Sequence, residues 1–380
     1  MSELASYSLQ AVFLALVAVV VVSRSKKIDL YHFALISIWL IGIVSIYARY
    51  GNDQVLFYSN DQLFHQQIIE YYIPIDGFQL SAVFGLRYLL TAPVYLISLL
   101  GFNPMLVIKF IQLCALLLTY NKAKTLAKRF GFKILYFQLP LIAGPLPLFM
   151  SMLSLRDVIL AYLTLTAIFP LNKRLRPLSI ASIGLLRPHL AVALIFGFAI
   201  EAIINLTRSR FQILLRSLLL ITSYLFGAIG FVLGNYLSNE GKIYFPNTIF
   251  SIDYISRLAL NIFSLQFLVL DGKGANVVES SSEVLLFSRL LFVETFLAPS
   301  IFLVLFFRHN SVLKRESLQI GAALFFFLGL VFQNAILTNS TRQNLPFITV
   351  MGLIGMFQLC DYRKSRSIQI PLATSATKAP

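Results

Sequence analysis

Long apolar runs, separated by short polar or basic turns, dominate the chain. Continuous apolar stretches of span length predict transmembrane helices, and the lack of strict alternation argues against a β-barrel. Expected spans cover 7–23, 30–48, 104–121, 134–152, 156–170, 213–234, 290–307, 318–337 and 345–360. The run 177–206 is long for a single span and is interrupted by "LLRPHL". Proline disfavours continuous helix, so a hairpin of half-helices turning at Arg187, Pro188 and His189 is expected there. The stretch "SAVFGLRYLLTAPVYLISLLG" carries Arg87 and Pro93 and has a short apolar reach. It is expected to lie in or dip into the outer interface. The predicted fold class is all-α: a polytopic transmembrane helical bundle of about 10 spans plus the half-helix hairpin.

Composition strengthens this picture. The 380 residues are 58% hydrophobic and only 12% charged, with a mean hydropathy of +0.80. Soluble proteins carry about 25% charged residues. The first apolar run lacks a basic leader region and a small-residue cleavage site, so it is expected to be a retained helix. Cys114 and Cys360 both sit in apolar runs and form no metal or disulfide pattern.

The net charge of +15 fits cytoplasmic loops better than nucleic acid, which is not an expected partner. Six clusters hold most of the 31 basic residues: around Arg24, Lys122–Lys133, Lys173–Arg176, Arg208–Arg216, Arg308–Arg315 and Arg363–Lys378. Placing all six inside fixes the topology. The expected division is a first transmembrane helix in 1–29 and a membrane module in 30–206 with external loop 49–102. The C-terminal helices follow in 207–362 with external loop 235–289, and 363–380 form a cytoplasmic tail. Asp29, Glu201, Glu316 and Asp361 then fall at the inner side, and the rest of the 16 acids at the outer side. Such a bias marks the outer face as the place of polar work.

One external stretch, "YSNDQLFHQQIIEYYIPIDG", gathers Asp61, His65, Glu70 and Asp76 just beyond an apolar run. Asp61 is a candidate base, since a partly desolvated carboxylate can have its pKa raised toward working pH. "SND" before an apolar pattern is also N-cap chemistry. His65, four residues on, shares a helix face with Asp61 and could tune it or bind acceptor. Asp61 and His65 supply too few ligands for a metal site, and a divalent cation stays open as a cofactor. Arg156 and Asp157 stand at a helix start, where they either pair at the interface or bind substrate. Arg187 and His189 interrupt an apolar run, where a charge faces a cavity or partner or satisfies backbone carbonyls. Arg87 and Lys109, near the outer interface, could attract a phosphate or snorkel to lipid headgroups, and the second is expected. No nucleotide-binding glycine motif is present.

Taken in order, "NDQLFH", the run "PVYLISLLGFNPMLVIKFIQLCALLLTYNKAKTLAKRFG", "GPLPLFMSMLSLRDVILAYLTLTAIF" and "IGLLRPHLAVALIF" resemble the GT-C superfamily of integral membrane glycosyltransferases. The resemblance is one of layout over roughly residues 30 to 205, and the first acidic motif reads "DQ" here. It implies catalytic roles for Asp61 and Asp157. "TRQNLPF" looks like the element that opens the last helix in such proteins, with Arg342 as a phosphate ligand. Arg156, Arg187 and His189 also resemble a pattern of O-antigen and exopolysaccharide polymerases. Both resemblances imply a polyprenyl-phosphate- or pyrophosphate-linked sugar donor and a glycan or lipid acceptor. The active site would face the periplasm from the inner membrane. Three functions are thus expected, in order: single-sugar transfer, repeat-unit polymerisation, and transport of a lipid-linked sugar.

Overall fold

The computed structural model describes residues 2–25, 28–51, 59–78, 87–132, 143–206, 323 and 345–369. The described residues are helical. The helices are α1 (Glu3–Ser25), α2 (Leu30–Tyr50), α3 (Ser59–Gln67), α4 (Ile73–Asp76), α5 (Tyr88–Ser98), α6 (Pro104–Arg129), α7 (Pro145–Ser151), α8 (Asp157–Ile168), α9 (Leu175–Leu186), α10 (Pro188–Leu206) and α11 (Leu345–Gln369). A π-helical turn, Ile68–Tyr72, joins α3 to α4. The span expected at 134–152 is described only from residue 143, where it holds the short helix α7; those expected at 213–234, 290–307 and 318–337 lie outside the described residues except at residue 323, as does Arg342.

Three helices, α1, α2 and α6, are long and apolar enough to cross a membrane. They alternate in direction. At one end Tyr7 of α1 stacks on Tyr47 of α2, with centroids 3.8 Å apart. Gln10 binds the turn before α6, accepting from the Asn103 N–H at 2.9 Å. At the other end Asp29, which caps α2, meets Lys124 and Tyr120 of α6 at 2.6 and 2.7 Å. Leu9, Leu16, Phe33, Ile38 and Ile41 of α1 and α2 remain exposed. Such an apolar outer surface suits lipid, not water.

Buried share separates the helices. The apolar window is 72% buried in α6, against 33% in α1 and 28% in α2. Helix α6 is therefore the post around which the others pack: α1, α5, α7 and α8 all touch it. Its start is well specified. Pro104 stands at its first position, and Asn103 Oδ1 accepts from the N–H groups of Met105 and Leu106. This satisfies donors that a helix N-terminus otherwise leaves open. Its end runs beyond the expected span, through Lys122, Lys124, Lys128 and Arg129, because the apolar pattern and the α8 and α11 neighbours continue to hold it. Lys109 stands in the second turn of α6. It is fully buried and donates to Tyr7 Oη at 3.1 Å, so the expected snorkelling is replaced by an interhelical bond.

Helices α8 and α9 are 12 residues each, about 18 Å long at 1.5 Å per residue. They run antiparallel, since Arg176 at the start of α9 donates to Ala167 O near the end of α8. Equal lengths bring the first residue of α8 level with the last of α9. The chain then breaks at Arg187, and α10 returns along α9. The return is fixed by Arg176 over the Phe198 ring at 4.6 Å and by the close approach of Ala191 to Gly184. Helix α5 has 11 residues, about 16 Å, and cannot alone cross a bilayer core of about 30 Å.

Candidate functional site

Two breaks in the helical path meet here: residues 152–156, between α7 and α8, and Arg187, between α9 and α10. Non-helical backbone inside a membrane bundle needs internal partners for its amides and carbonyls. Neutral side chains supply them at the first break. Ser154 N–H donates to Gln62 Oε1 at 2.9 Å, and Ser154 O accepts from His65 Nδ1 at 3.0 Å. The Ser154 hydroxyl donates to Met105 O at 3.3 Å. Gln112 of α6 donates to Leu155 O, while its Oε1 accepts from Val158 and Ile159 N–H at 3.0 and 3.2 Å. Gln112 thus caps α8 from a neighbouring helix. Replacing Gln112 with Leu would strand three backbone groups, two of them at buried contacts, at a cost of about 1–3 kcal/mol or more. A lowered unfolding midpoint in detergent is the expected outcome.

The second break is closed by Arg156, whose Nη1 donates to Leu186 O at 2.6 Å. Arg156 does not pair with its neighbour Asp157. Asp157 instead faces Arg187, with Oδ1 to Nη2 at 3.4 Å. Both groups are buried, at 1% and 4% exposure. The pair is loose: neither Asp157 oxygen makes a hydrogen bond, and Arg187 Nη1 has no partner. Buried charges held so poorly are costly unless something else engages them. An unsatisfied guanidinium donor beside a second arginine is an anion-binding arrangement.

His65 connects helix α3 to this centre. Its Nδ1 faces a carbonyl, so Nδ1 carries a hydrogen. Burial lowers its pKa from the ordinary 6.5 to about 3. The charges of Arg156 and Arg87 work in the same direction, against the Ser154 carbonyl. A depressed histidine pKa means the fold favours the neutral ring. That stabilisation is full above about pH 6.5 and is lost as pH falls toward 3. Wild type is therefore expected to lose thermal stability between pH 7 and 5 more steeply than His65→Gln. Parallel slopes in detergent melts would contradict this.

Asp61 stands one helical turn before His65 in α3, and His189 is the second residue of α10. The structure thus joins Arg156, Asp157, Arg187 and His65 in one place, with Asp61 and His189 on the helices that enter it. Sequence reasoning missed Gln62, Gln112 and Ser154, because neutral polar residues give no charge signal. It also missed the network of Asp29, His32, Tyr120, Asn121 and Lys124 between the start of α2 and the last turns of α6. Burial works to raise the Asp29 carboxyl. Donation from Lys124, Tyr120 and His32 outweighs it and holds the group well below the carboxylate range. Among the described residues no three His, Cys, Asp or Glu side chains gather in metal-binding range. No protein-family model, no curated protein and no solved structure matches this chain.

Proposed function

We propose that the chain is a membrane glycosyltransferase with a GT-C-like layout of about ten spans plus the α9–α10 hairpin. It moves a sugar from a polyprenyl-linked phosphate donor, with one phosphate or two, to a glycan or lipid acceptor. The observation that carries this is the buried Arg187–Asp157 pair with its unpartnered Nη1, set beside Arg156 where two helix breaks meet. Nη1 is a preorganised donor for a leaving phosphate, and phosphate binding is what a lipid-linked donor demands.

The site lies on the α6 side of Gln112, eight residues or about 12 Å from Pro104. The basic end of α6, with Lys122, Lys124, Lys128 and Arg129, is at the opposite pole. With that end cytoplasmic, as the bias of basic loops requires, the site opens to the outer face. There the acceptor hydroxyl attacks the anomeric carbon, a new C–O bond forms, and the C–O bond to the lipid phosphate breaks. Asp61 takes the hydroxyl proton. Arg156, Arg187 and Arg342 balance the charge left on the phosphate, with His189 and His65 positioning it. Asp157 holds Arg187 in place.

Purified protein given radiolabelled polyprenyl-linked glycans and an acceptor extract should move label from the organic phase to a new product. A single product band supports one-sugar transfer, and a ladder supports polymerisation. Label that stays on the original lipid under all conditions contradicts the assignment.

A further inference from the structure

Arg87 is a third guanidinium at the centre, and its place in the fold is specific. It precedes α5, whose first turns fold back on its carbonyl through Leu90 and Thr91. Its Cζ lies 3.9 Å from the centroid of the Phe64 ring. Phe64 is adjacent to His65, which binds Ser154 O, two residues before Arg156. Helix α5 also packs on α9, which ends at Arg187. The charges of Arg87, Arg156 and Arg187 act on one another across this space. Arg87 and Arg156 make no ion pair with a carboxylate among the described residues. A guanidinium laid over an aromatic face keeps its in-plane N–H edge free to donate.

Among the described side chains, three guanidinium charges stand against the one carboxylate of Asp157, with His65 neutral, a surplus of two positive charges on the phosphate side, the proposed base Asp61 being counted with the acceptor. A lipid–phosphate–sugar diester carries one negative charge, and a lipid–diphosphate–sugar diester carries two. We infer that this centre takes a lipid-linked diphosphate, with Arg187 and Arg156 on one phosphate and Arg87, steadied by Phe64, on the other. This rests on the phosphate-binding role proposed above and narrows it to two phosphates.

The test uses the full purified chain in detergent and three probes: farnesyl methyl phosphate, farnesyl methyl diphosphate and inorganic pyrophosphate. Calorimetric titration should show the diphosphate diester binding at least tenfold more tightly than the monophosphate diester. Arg87→Gln should lower diphosphate affinity at least tenfold and monophosphate affinity less than threefold. Arg87→Lys, which keeps the charge, should restore most of the preference, and melting curves establish that each variant is folded. Equal affinity for the two diesters would overturn the two-phosphate inference while leaving a phosphate site intact. Failure of both diesters to bind folded protein would overturn the phosphate-binding role as well. Inorganic pyrophosphate binding as tightly as farnesyl methyl diphosphate would overturn the lipid-linked assignment.

Discussion

Arg187→Ala is expected to lose transfer by about 10²–10³-fold, the scale for removing one preorganised donor from a developing negative charge. It should also destabilise the protein by about 3–5 kcal/mol, because Asp157 would be left buried without its counter-charge. The two losses have separate origins and can be separated. In the double variant Asp157→Asn with Arg187→Gln both charges are gone, so most of the stability should return. Buried ion pairs replaced by neutral groups are often close to neutral in stability. Transfer should not return, because the phosphate donor is still missing. A double variant that regained both stability and transfer would mean the pair only ties α8 to α9. Steady-state transfer rates and detergent unfolding midpoints on the same preparations decide between these results.

Asp61→Asn carries the second large effect. The substitution keeps the shape of the side chain and removes its ability to take a proton. General-base catalysis contributes about 10²–10⁴-fold, and the loss should be of that size with an unchanged melting midpoint. Donor affinity should also be unchanged, since the proposed phosphate ligands are elsewhere. Full activity in a folded Asp61→Asn protein would remove the residue from the mechanism. A large loss of donor binding would move it to a substrate-holding role.

Much of the architecture around this site was legible as pattern. The helices α1, α2 and α6 follow from apolar length, and the break at Arg187 follows from Pro188. The ionisable residues Arg156, Asp157 and Arg187 were conspicuous because charge is rare in apolar runs. Their partners were not legible. Proximity in sequence pairs Arg156 with Asp157, yet the equal lengths of α8 and α9 carry Arg187 to Asp157. Arg156 instead closes the break before α10 by donating to Leu186 O. Lys109 shows the same limit, since nothing in its local run signals a tyrosine on α1. Gln62, Gln112 and Ser154 are ordinary residues in sequence, and only the non-helical backbone they satisfy gives them meaning. The signal that could have found them is amide side chains near a break that must be satisfied internally.

The Asp29 network has a structural consequence. Asp29 caps α2 and joins α6 through Lys124. With its carboxyl held below the ordinary range, its contribution is present above the unfolded value near 3.8 and is lost only as pH falls below it. It therefore stays intact across the acid range in which His65 begins to weaken the opposite end. The two ends of the bundle are thus expected to respond to acid at different pH.

The most direct test of the glycosyltransferase assignment is label transfer in proteoliposomes, using purified wild type, Asp61→Asn and Arg187→Ala and a radiolabelled pool of polyprenyl-linked glycans. The predicted result is label on a new acceptor with wild type and loss of that product in both variants. Label that crosses the bilayer while still attached to its original lipid, in all three proteins, would contradict the assignment and identify a transporter.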